Sequence, residues 1–409
     1  MNGPLHGVRI LDLTAMLSGP WATSLLADQG ADVVKIEIPH KGDHVRALGH
    51  QRGGMSAMFL NINRNKRSLT INLKKPEGVE LLKRLVMDAD VVIQNFRPGV
   101  VDRLGIGADD LRALKPELIY VSVSGFGEKG PWVGKPTYDP VIQAITGLTT
   151  IQAGSDEERP RLVRTVVPDK LSSITISQAI TAALFERERS GEGQHVRLSM
   201  LDTVLQFLWA SDMNAHTFPN ETVAEEKAAS FIDLIYETKD GFMTVAVMSD
   251  KEWRGLCAAL ERPEWLEDPR FKDPEARDQN VNDRLIMTQE VLKTRNTDDW
   301  MERLEACDVP CAPALKRSEV YEHPQVKEMG TVEIFDHHAA GKVRQTRHAA
   351  RFERTPASVR MGAPLLGEHN DEVLAELGLD AAEIARLKTD GVVGSEHAER
   401  EAGETSAVA

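Results

Sequence analysis

The chain has 409 residues, with 49 Lys and Arg against 63 Asp and Glu for a formal net charge of −14, 41% hydrophobic residues and three cysteines. That apolar fraction excludes a disordered chain, and the acidic balance excludes a surface that binds nucleic acid non-specifically, because such a surface needs cations to neutralise phosphates. No apolar run approaches the roughly 18 residues of a membrane span, and the opening MNGPLHGVRI lacks the basic and apolar regions of a signal peptide, so a soluble, cytoplasmic protein of two or three domains is expected.

Apolar alternation predicts strands at Val8–Leu13, Asp32–Ile38, Ser68–Leu73, Asp90–Asn95 and Leu118–Val123, with helical spacing at Trp21–Asp28 and Glu77–Met87 between them. Strand and helix in alternation signify an α/β domain with a mainly parallel sheet, whose ligand sites gather in the loops after the strands' carboxyl ends. The stretch Lys170–Arg189, rich in Ser, Thr and Ala, predicts a long helix stopped by Gly191 and Gly193. A strand at His195–Met200 and a helix at Leu201–Asp212 follow.

Polar residues at His216–Ala229 mark a domain boundary, so the first domain spans residues 1–215. A smaller α+β domain at 226–323 then opens with a hairpin at Phe231–Val247 around Lys239-Asp240-Gly241, and continues with helices at Asp250–Leu260, Asp283–Lys293 and Thr297–Ala306. Residues 324–394 read as an extended return to the first domain, with strands near Val332–Phe335 and Gly341–Arg344 and a helix at Asp371–Leu377. Residues 395–409 read as a mobile acidic tail.

Candidate chemistry is sparse. Between Arg64 and Arg103 nine basic residues stand against five acidic ones, a local excess in an acidic chain, and Lys74 and Arg97 fall just after predicted strands where a phosphorylated ligand would sit. A solvated basic face explains the same charges equally well. Asp169 directly precedes the Ser-rich helix, where it can act as an N-cap, or as a nucleophile held ionised by the helix dipole and able to attack an activated acyl carbon. The loop Gly125–Lys135 and Tyr138-Asp139-Pro140 can approach a ligand closely. Gly105-Ile106-Gly107 lacks the third glycine of a dinucleotide fingerprint. Cys257, Cys307 and Cys311 make neither a disulfide framework nor a zinc site, and His40, His44, His337 and His338 lack metal-binding spacing, so no metal is expected.

Leu11-Asp12-Leu13-Thr14, Leu17-Ser18-Gly19-Pro20 and the run Leu26 to Glu37 resemble the opening of the class III (CaiB/BaiF) CoA-transferases, the family of formyl-CoA transferase and carnitine CoA-transferase. Asn63 to Ser68, Pro76-Glu77-Gly78, Asn95 to Gly99, Ser124 to Gly127, Tyr138-Asp139, Asp169, Gly191 to Gly193 and Gly367-Glu368-His369 resemble further family blocks in the same order, over about residues 5 to 380.

The resemblance implies a large Rossmann-like domain built from both chain ends, a smaller domain between, and an interlocked homodimer. It implies that Asp169 is the catalytic aspartate. In that role it takes an acyl group from acyl-CoA as an anhydride, then carries CoA as an aspartyl thioester to an acceptor carboxylate. It implies CoA contacts at Met16, Leu17 and Ser18, at Asn72, Leu73 and Lys74, at Asn95, Phe96 and Arg97, at Arg103, and at Lys135, Pro136, Thr137 and Tyr138. Lys74 and Arg103 are then the phosphate partners. Acyl-CoA is the substrate and no tightly bound cofactor is implied.

Two departures stand out. Ile38-Pro39 replaces a basic residue that several members carry after Lys35-Ile36-Glu37, and Val247 to Trp253 replaces a glycine-rich lid, which predicts an acid other than oxalate. α-Methylacyl-CoA racemase shares the fold, but its histidine falls at Tyr138, and a tyrosine is a poor neutral-pH base. A non-catalytic acyl-CoA-binding protein is the remaining alternative.

Overall fold

The computed structural model describes residues 3–213, 216–220 and 234–394. Residues 221–229 of the expected boundary, the first three residues of the Phe231–Val247 hairpin and the acidic tail lie outside the described residues. Two compact units are distinguished, one comprising residues 1–149, 161–222 and 330–409 and the other residues 150–160 and 223–329.

The first unit is built on six strands: β1 (Arg9–Asp12), β2 (Asp32–Glu37), β3 (Lys66–Thr70), β4 (Val91–Gln94), β5 (Ile119–Ser124) and β6 (His195–Ser199). They lie in the order β3-β2-β1-β4-β5-β6, and every neighbouring pair is parallel. Because successive side chains alternate faces, each strand feeds two cores. On one face Leu11, Val34, Leu69 and Val92 meet α2 (Pro76–Met87) and the C-terminal helices α10 (Asn370–Glu376) and α11 (Ala381–Thr389). On the other, Ile10, Val33, Ile93 and Val121 meet α1 (Ser18–Asp28) and α5 (Val167–Ser190).

The first unit also contains α3 (Ala108–Leu114), α4 (Asp139–Ile145) and α6 (Met200–Trp209). An antiparallel hairpin, Val332–His337 with Gly341–Thr346, precedes the C-terminal helices. Edge strand β3 is covered by the chain's end: the Thr70 N–H donates to Asn370 Oδ1 at 2.9 Å and the Asn72 N–H to the Val392 carbonyl at 2.8 Å.

In the second unit three short antiparallel strands, β7 (Ile235–Glu237), β8 (Phe242–Val245) and β9 (Cys311–Pro313), carry β8 at the centre. With α7 (Asp250–Ala259), α8 (Val281–Leu292) and α9 (Thr297–Ala306) they enclose Trp253, Trp265, Phe271 and Trp300. Cys257 belongs to this core, and Cys307 and Cys311 pack against it.

Several elements differ from the sequence reading for stated reasons. α1 begins at Ser18 and α5 at Val167, three residues ahead of the predicted starts, because Pro20 and Pro168 lie in the first turn, where a missing N–H removes no helical bond. Strand β3 starts at Lys66, because the pairing of Val33 with Lys66 extends the ladder upstream, and it ends at Thr70. Helix α11 is an element that the sequence reading did not name, although Asp380 and Glu383 form a capping box at its start.

The expected basic cluster is largely dismantled. Lys66 has no exposure at all, and its ammonium donates to Asp12 Oδ2 at 2.9 Å, Asn63 Oδ1 at 2.8 Å and the Pro20 carbonyl at 2.7 Å. Arg64 forks onto Asp28 at 2.6 and 3.0 Å, and Arg67 holds Asp32, Glu372 and Glu376. These cations close the fold and do not face a ligand.

Lys35, equally buried, pairs with Asp43 at 3.0 Å and donates to the Thr14 carbonyl at 2.8 Å. Burial alone raises the Asp12 pKa, but Lys66 and Lys35 outweigh it and hold this carboxyl far below the usual carboxylate range. Removing one partner of such a pair strands the other charge, so Lys66→Met should lower unfolding stability by about 3–5 kcal/mol in urea titration. A loss below about 1 kcal/mol would show that the pair is dispensable.

Candidate functional site

The strand order reverses between β1 and β4, and the loops after these two strands border the crevice that such a switch point creates. The loop after β1 is tightly tied. Asp12 Oδ1 accepts the Thr14 N–H at 2.9 Å and also the Thr14 hydroxyl. Ala15 exchanges two bonds with the Asn95 side chain, at 3.0 and 2.8 Å, which joins the two loops. Met16 sits at φ 72°, a left-handed conformation that costs a non-glycine residue about 1–3 kcal/mol, and its N–H donates to Asp43 Oδ1 at 3.1 Å. A Cβ on Gly19 would lie 2.4 Å from Thr14, so only glycine fits there.

This anchoring delivers Ser18, the first residue of α1, to Asp169, the third residue of α5. The Ser18 hydroxyl donates to Asp169 Oδ1 at 3.0 Å. The two helices pack together through Ala22, Leu26, Ile176, Ile180 and Ala183, with their N-termini at the same end. Asp169 is not the N-cap that its position before the Ser-rich stretch implied. Val166 occupies that place without a side-chain bond, and Asp169 lines the cleft instead of capping the helix.

Its pKa also moves opposite to the dipole expectation. Burial pushes it up to about 6, with the Ser18 bond opposing and Asp139 adding repulsion. At pH 7 the carboxylate still predominates about ten to one.

Asp139, the first residue of α4, is 3% exposed. It accepts the Asp169 N–H at 3.3 Å through one oxygen and the Gln143 side-chain N–H at 2.6 Å through the other. Burial raises its pKa, against the Gln143 and Asp169 hydrogen bonds. The sequence reading noted Tyr138-Asp139-Pro140 as a loop. It missed Asp139 as the support of Asp169, and the Pro one position on was the available signal of a helix start.

A cleft of about 380 Å³ opens in front of Asp169. Met16, Leu17, Ser18, Asn95, Phe96, Arg97, Lys135, Pro136, Thr137 and Tyr138 all line it, as do Asp139, Val45, Met58, Val166 and Met200, which the sequence reading did not assign. Lys135 Nζ rests 3.4 Å over the Trp132 ring, and Tyr138 stands 67% exposed. Gly125 is required because a Cβ there would lie 2.1 Å from Thr137 Cγ2.

Four expected contact residues do not line this cleft. Asn72, Leu73 and Lys74 follow the edge strand β3, where Asn72 Oδ1 accepts the Lys74 N–H at 3.2 Å and Leu73 packs on the core. Arg103 ends a four-residue helical turn, exposed. A second cleft of about 290 Å³ adjoins the first, shares Phe96 and Arg97 with it, and contains the chain Gln94 to Ser122 (3.0 Å) to His195 (2.8 Å). Among the described residues no cluster of three metal-ligating side chains occurs.

Arg97, Arg103 and Lys74 carry no side-chain hydrogen bond or ion pair among the described residues. The arrangement therefore places a half-buried carboxylate in the first turn of a helix, on a cleft that Arg97 also lines. Asn95→Ala removes both bonds to Ala15 and should cost about 1–3 kcal/mol, read by thermal denaturation. An unchanged melting temperature would mean that Asn95 does not tie the loops.

A family model described as CoA-transferase family III matches residues 5–370. The chain is 35% identical to succinate–glutarate CoA-transferase from Agrobacterium fabrum, over 91% of this chain and 96% of that protein. It is 32% identical to formyl-CoA:oxalate CoA-transferase from Streptomyces coelicolor, over 95% and 99%. A solved structure of a CAIB/BAIF family protein from Brucella suis shares the fold with a TM-score of 0.80 and 31% identity, covering 92% of this chain and 100% of that one.

Proposed function

The chain belongs to CoA-transferase family III, and from that membership we propose that Asp169 is its covalent nucleophile. The observation that carries this reading is the Asp169 carboxylate, which lines the cleft from the first turn of α5 and is bonded by Ser18.

In the proposed sequence one Asp169 oxygen attacks the acyl-CoA carbonyl carbon, and CoA leaves as the thiolate. The thiolate then attacks the aspartyl carbonyl carbon of the mixed anhydride and releases the donor acid. An acceptor carboxylate reverses the two steps. Met16 to Ser18, Phe96, Arg97 and the Lys135 to Tyr138 segment flank the thioester arm of CoA, while Lys74, Arg97 and Arg103 supply charge for its phosphates. Asn95 positions the loops, because its amide is already taken up by Ala15.

The name of the Agrobacterium relative directs the first test to succinyl-CoA and glutarate, with formyl-CoA and oxalate as the contrast. Racemase-like proton transfer is disfavoured by Tyr138, which stands exposed at the rim in the place of the required histidine.

A self-associated state is proposed as well. Ile145 on α4, Ile174 and Phe185 on α5, and Phe207 and Trp209 on α6 are all exposed, and these three helices pack on one another. A second copy of the chain is the proposed occupant of that face.

Three outcomes follow. After incubation with succinyl-CoA and a hydroxylamine quench, mass spectrometry should place a hydroxamate on Asp169, and Asp169→Asn should reduce transferase turnover by about 10³-fold or more; an unmodified Asp169 in an active enzyme overturns the nucleophile. Because the attacking form is the carboxylate and burial has raised its pKa to about 6, adduct formation should be flat above that pH and fall about tenfold per unit below it. An acid limb near 4 would contradict this environment. Light scattering should give twice the chain mass of 45.2 kDa, and a stable monomer would remove the dimer.

A further inference from the structure

We propose that Ser18 is a second catalytic residue, whose hydroxyl donates to the oxyanion formed when CoA thiolate attacks the carbonyl carbon of the Asp169 anhydride. The inference rests on Asp169 being the nucleophile and assigns a donor to its second step.

Ser18 is 5% exposed and its hydroxyl stands 3.0 Å from Asp169 Oδ1. No other side-chain donor to this carboxylate occurs among the described residues. The Asp169 N–H is turned away to Asp139. The backbone under Ser18 is fixed by the strained Met16 and by Gly19, against which Thr14 leaves no room for a side chain, so the hydroxyl is placed before any substrate arrives. Such placement is what makes a donor effective, because no reorganisation is needed as charge develops.

The bond to Oδ1 leaves Oδ2 as the oxygen that attacks the acyl group. In the resulting anhydride Oδ2 is the bridging atom and Oδ1 is the aspartyl carbonyl oxygen. Thiolate sulfur then donates an electron pair to Cγ, and the carbonyl π pair moves onto Oδ1, within reach of the Ser18 hydroxyl. Collapse restores the carbonyl and breaks the Cγ–Oδ2 bond, and the donor acid departs as a carboxylate that carries Oδ2. The acceptor carboxylate later restores the missing oxygen to Asp169. No proton, oxidant or further reactant is required.

Loss of one preorganised oxyanion donor slows a step about 10²–10³-fold. Since the first attack is by Oδ2, which this bond does not engage, Ser18→Ala should still release CoA thiol and then stall. Rapid mixing of the full-length enzyme with succinyl-CoA should therefore show a stoichiometric burst of free thiol in the variant, a burst absent from the wild type, and a 10²–10³-fold slower appearance of the Asp169–CoA adduct. Ser18→Thr, which retains the hydroxyl, should restore adduct formation and abolish the burst.

A folded Ser18→Ala enzyme that forms the adduct within about threefold of the wild-type rate overturns the assignment and leaves Asp169 in place, as does one that gives neither thiol nor adduct. A turning-over wild type without any Asp169 adduct overturns both readings.

Discussion

Two lysines with no exposed surface, Lys35 and Lys66, set the terms for the rest of the first unit. A buried ammonium costs several kcal/mol in lost hydration, and the cost is offset only where geometry and hydrogen bonds are nearly complete. Here each lysine reaches a carboxylate and at least one carbonyl, and the carboxylates continue outward. Asp43 Oδ1 accepts the N–H groups of Met16 and Val45 at 3.1 Å each, while Glu37 accepts the Asp43 N–H at 2.9 Å, the Ser68 hydroxyl at 2.9 Å and a fork from Arg46 at 2.7 and 2.8 Å. The carboxyl ends of β1, β2 and β3 are thereby locked to the loop that leads into α1. A hydrophobic replacement could match the stability of such a cluster, but it could not dictate the path of residues 14 to 18.

That path matters because the site's electrostatics are a contest between two opposing terms. The N-termini of α1 and α5 together favour an anion at Asp169, each by about 0.3–1 kcal/mol where exposed. Burial acts in the other direction and is the larger effect, since the carboxyl rises to about 6. The balance suits a nucleophile. A carboxylate stabilised as far as Asp12 would be a poor attacking group, whereas one poised near 6 is ionised at neutral pH and is less firmly held by its surroundings. Asp139 contributes by binding the Asp169 backbone and not its carboxylate, which keeps the second acid close without pairing it.

The parallel sheet was legible because its strands are short apolar runs between helical spacings, whereas the order of the six strands came only from the structure. The clasp in Asn63 to Ser68 was not legible, because Lys66, Arg64 and Arg67 find their acids at Asp12, Asp28 and Asp32, between 35 and 54 residues away in the chain. Residue type and local charge density do not distinguish a paired, buried lysine from a solvated one. The starts of α1 and α5 were each placed three residues late, since Pro20 and Pro168 stand inside a first turn that apolar spacing alone does not mark. Asp169 was singled out by its position ahead of a small-residue helix together with ordered family motifs. Its partner Ser18 had no chemical signature of its own.

The sorting of cations bears on how a chain of net charge −14 could accommodate the proposed ligand with several phosphates. Of the basic residues between Arg64 and Arg103, Arg64, Lys66 and Arg67 neutralise internal acids, Lys83 pairs with Glu80, and Arg84 donates to the Leu377 carbonyl. Lys74, Arg97 and Arg103 are left exposed, with no side-chain hydrogen bond or ion pair among the described residues. Screening over a Debye length of about 8 Å at physiological salt confines the effect of the distant acidic surface, so a few unpaired cations near the proposed phosphates outweigh a larger negative total farther away. Among the pairs that occupy the other basic residues, Lys66–Asp12 also bears on the loop carrying Ser18, because Asp12 accepts the Thr14 N–H, so at that pair fold closure and loop construction draw on the same charge.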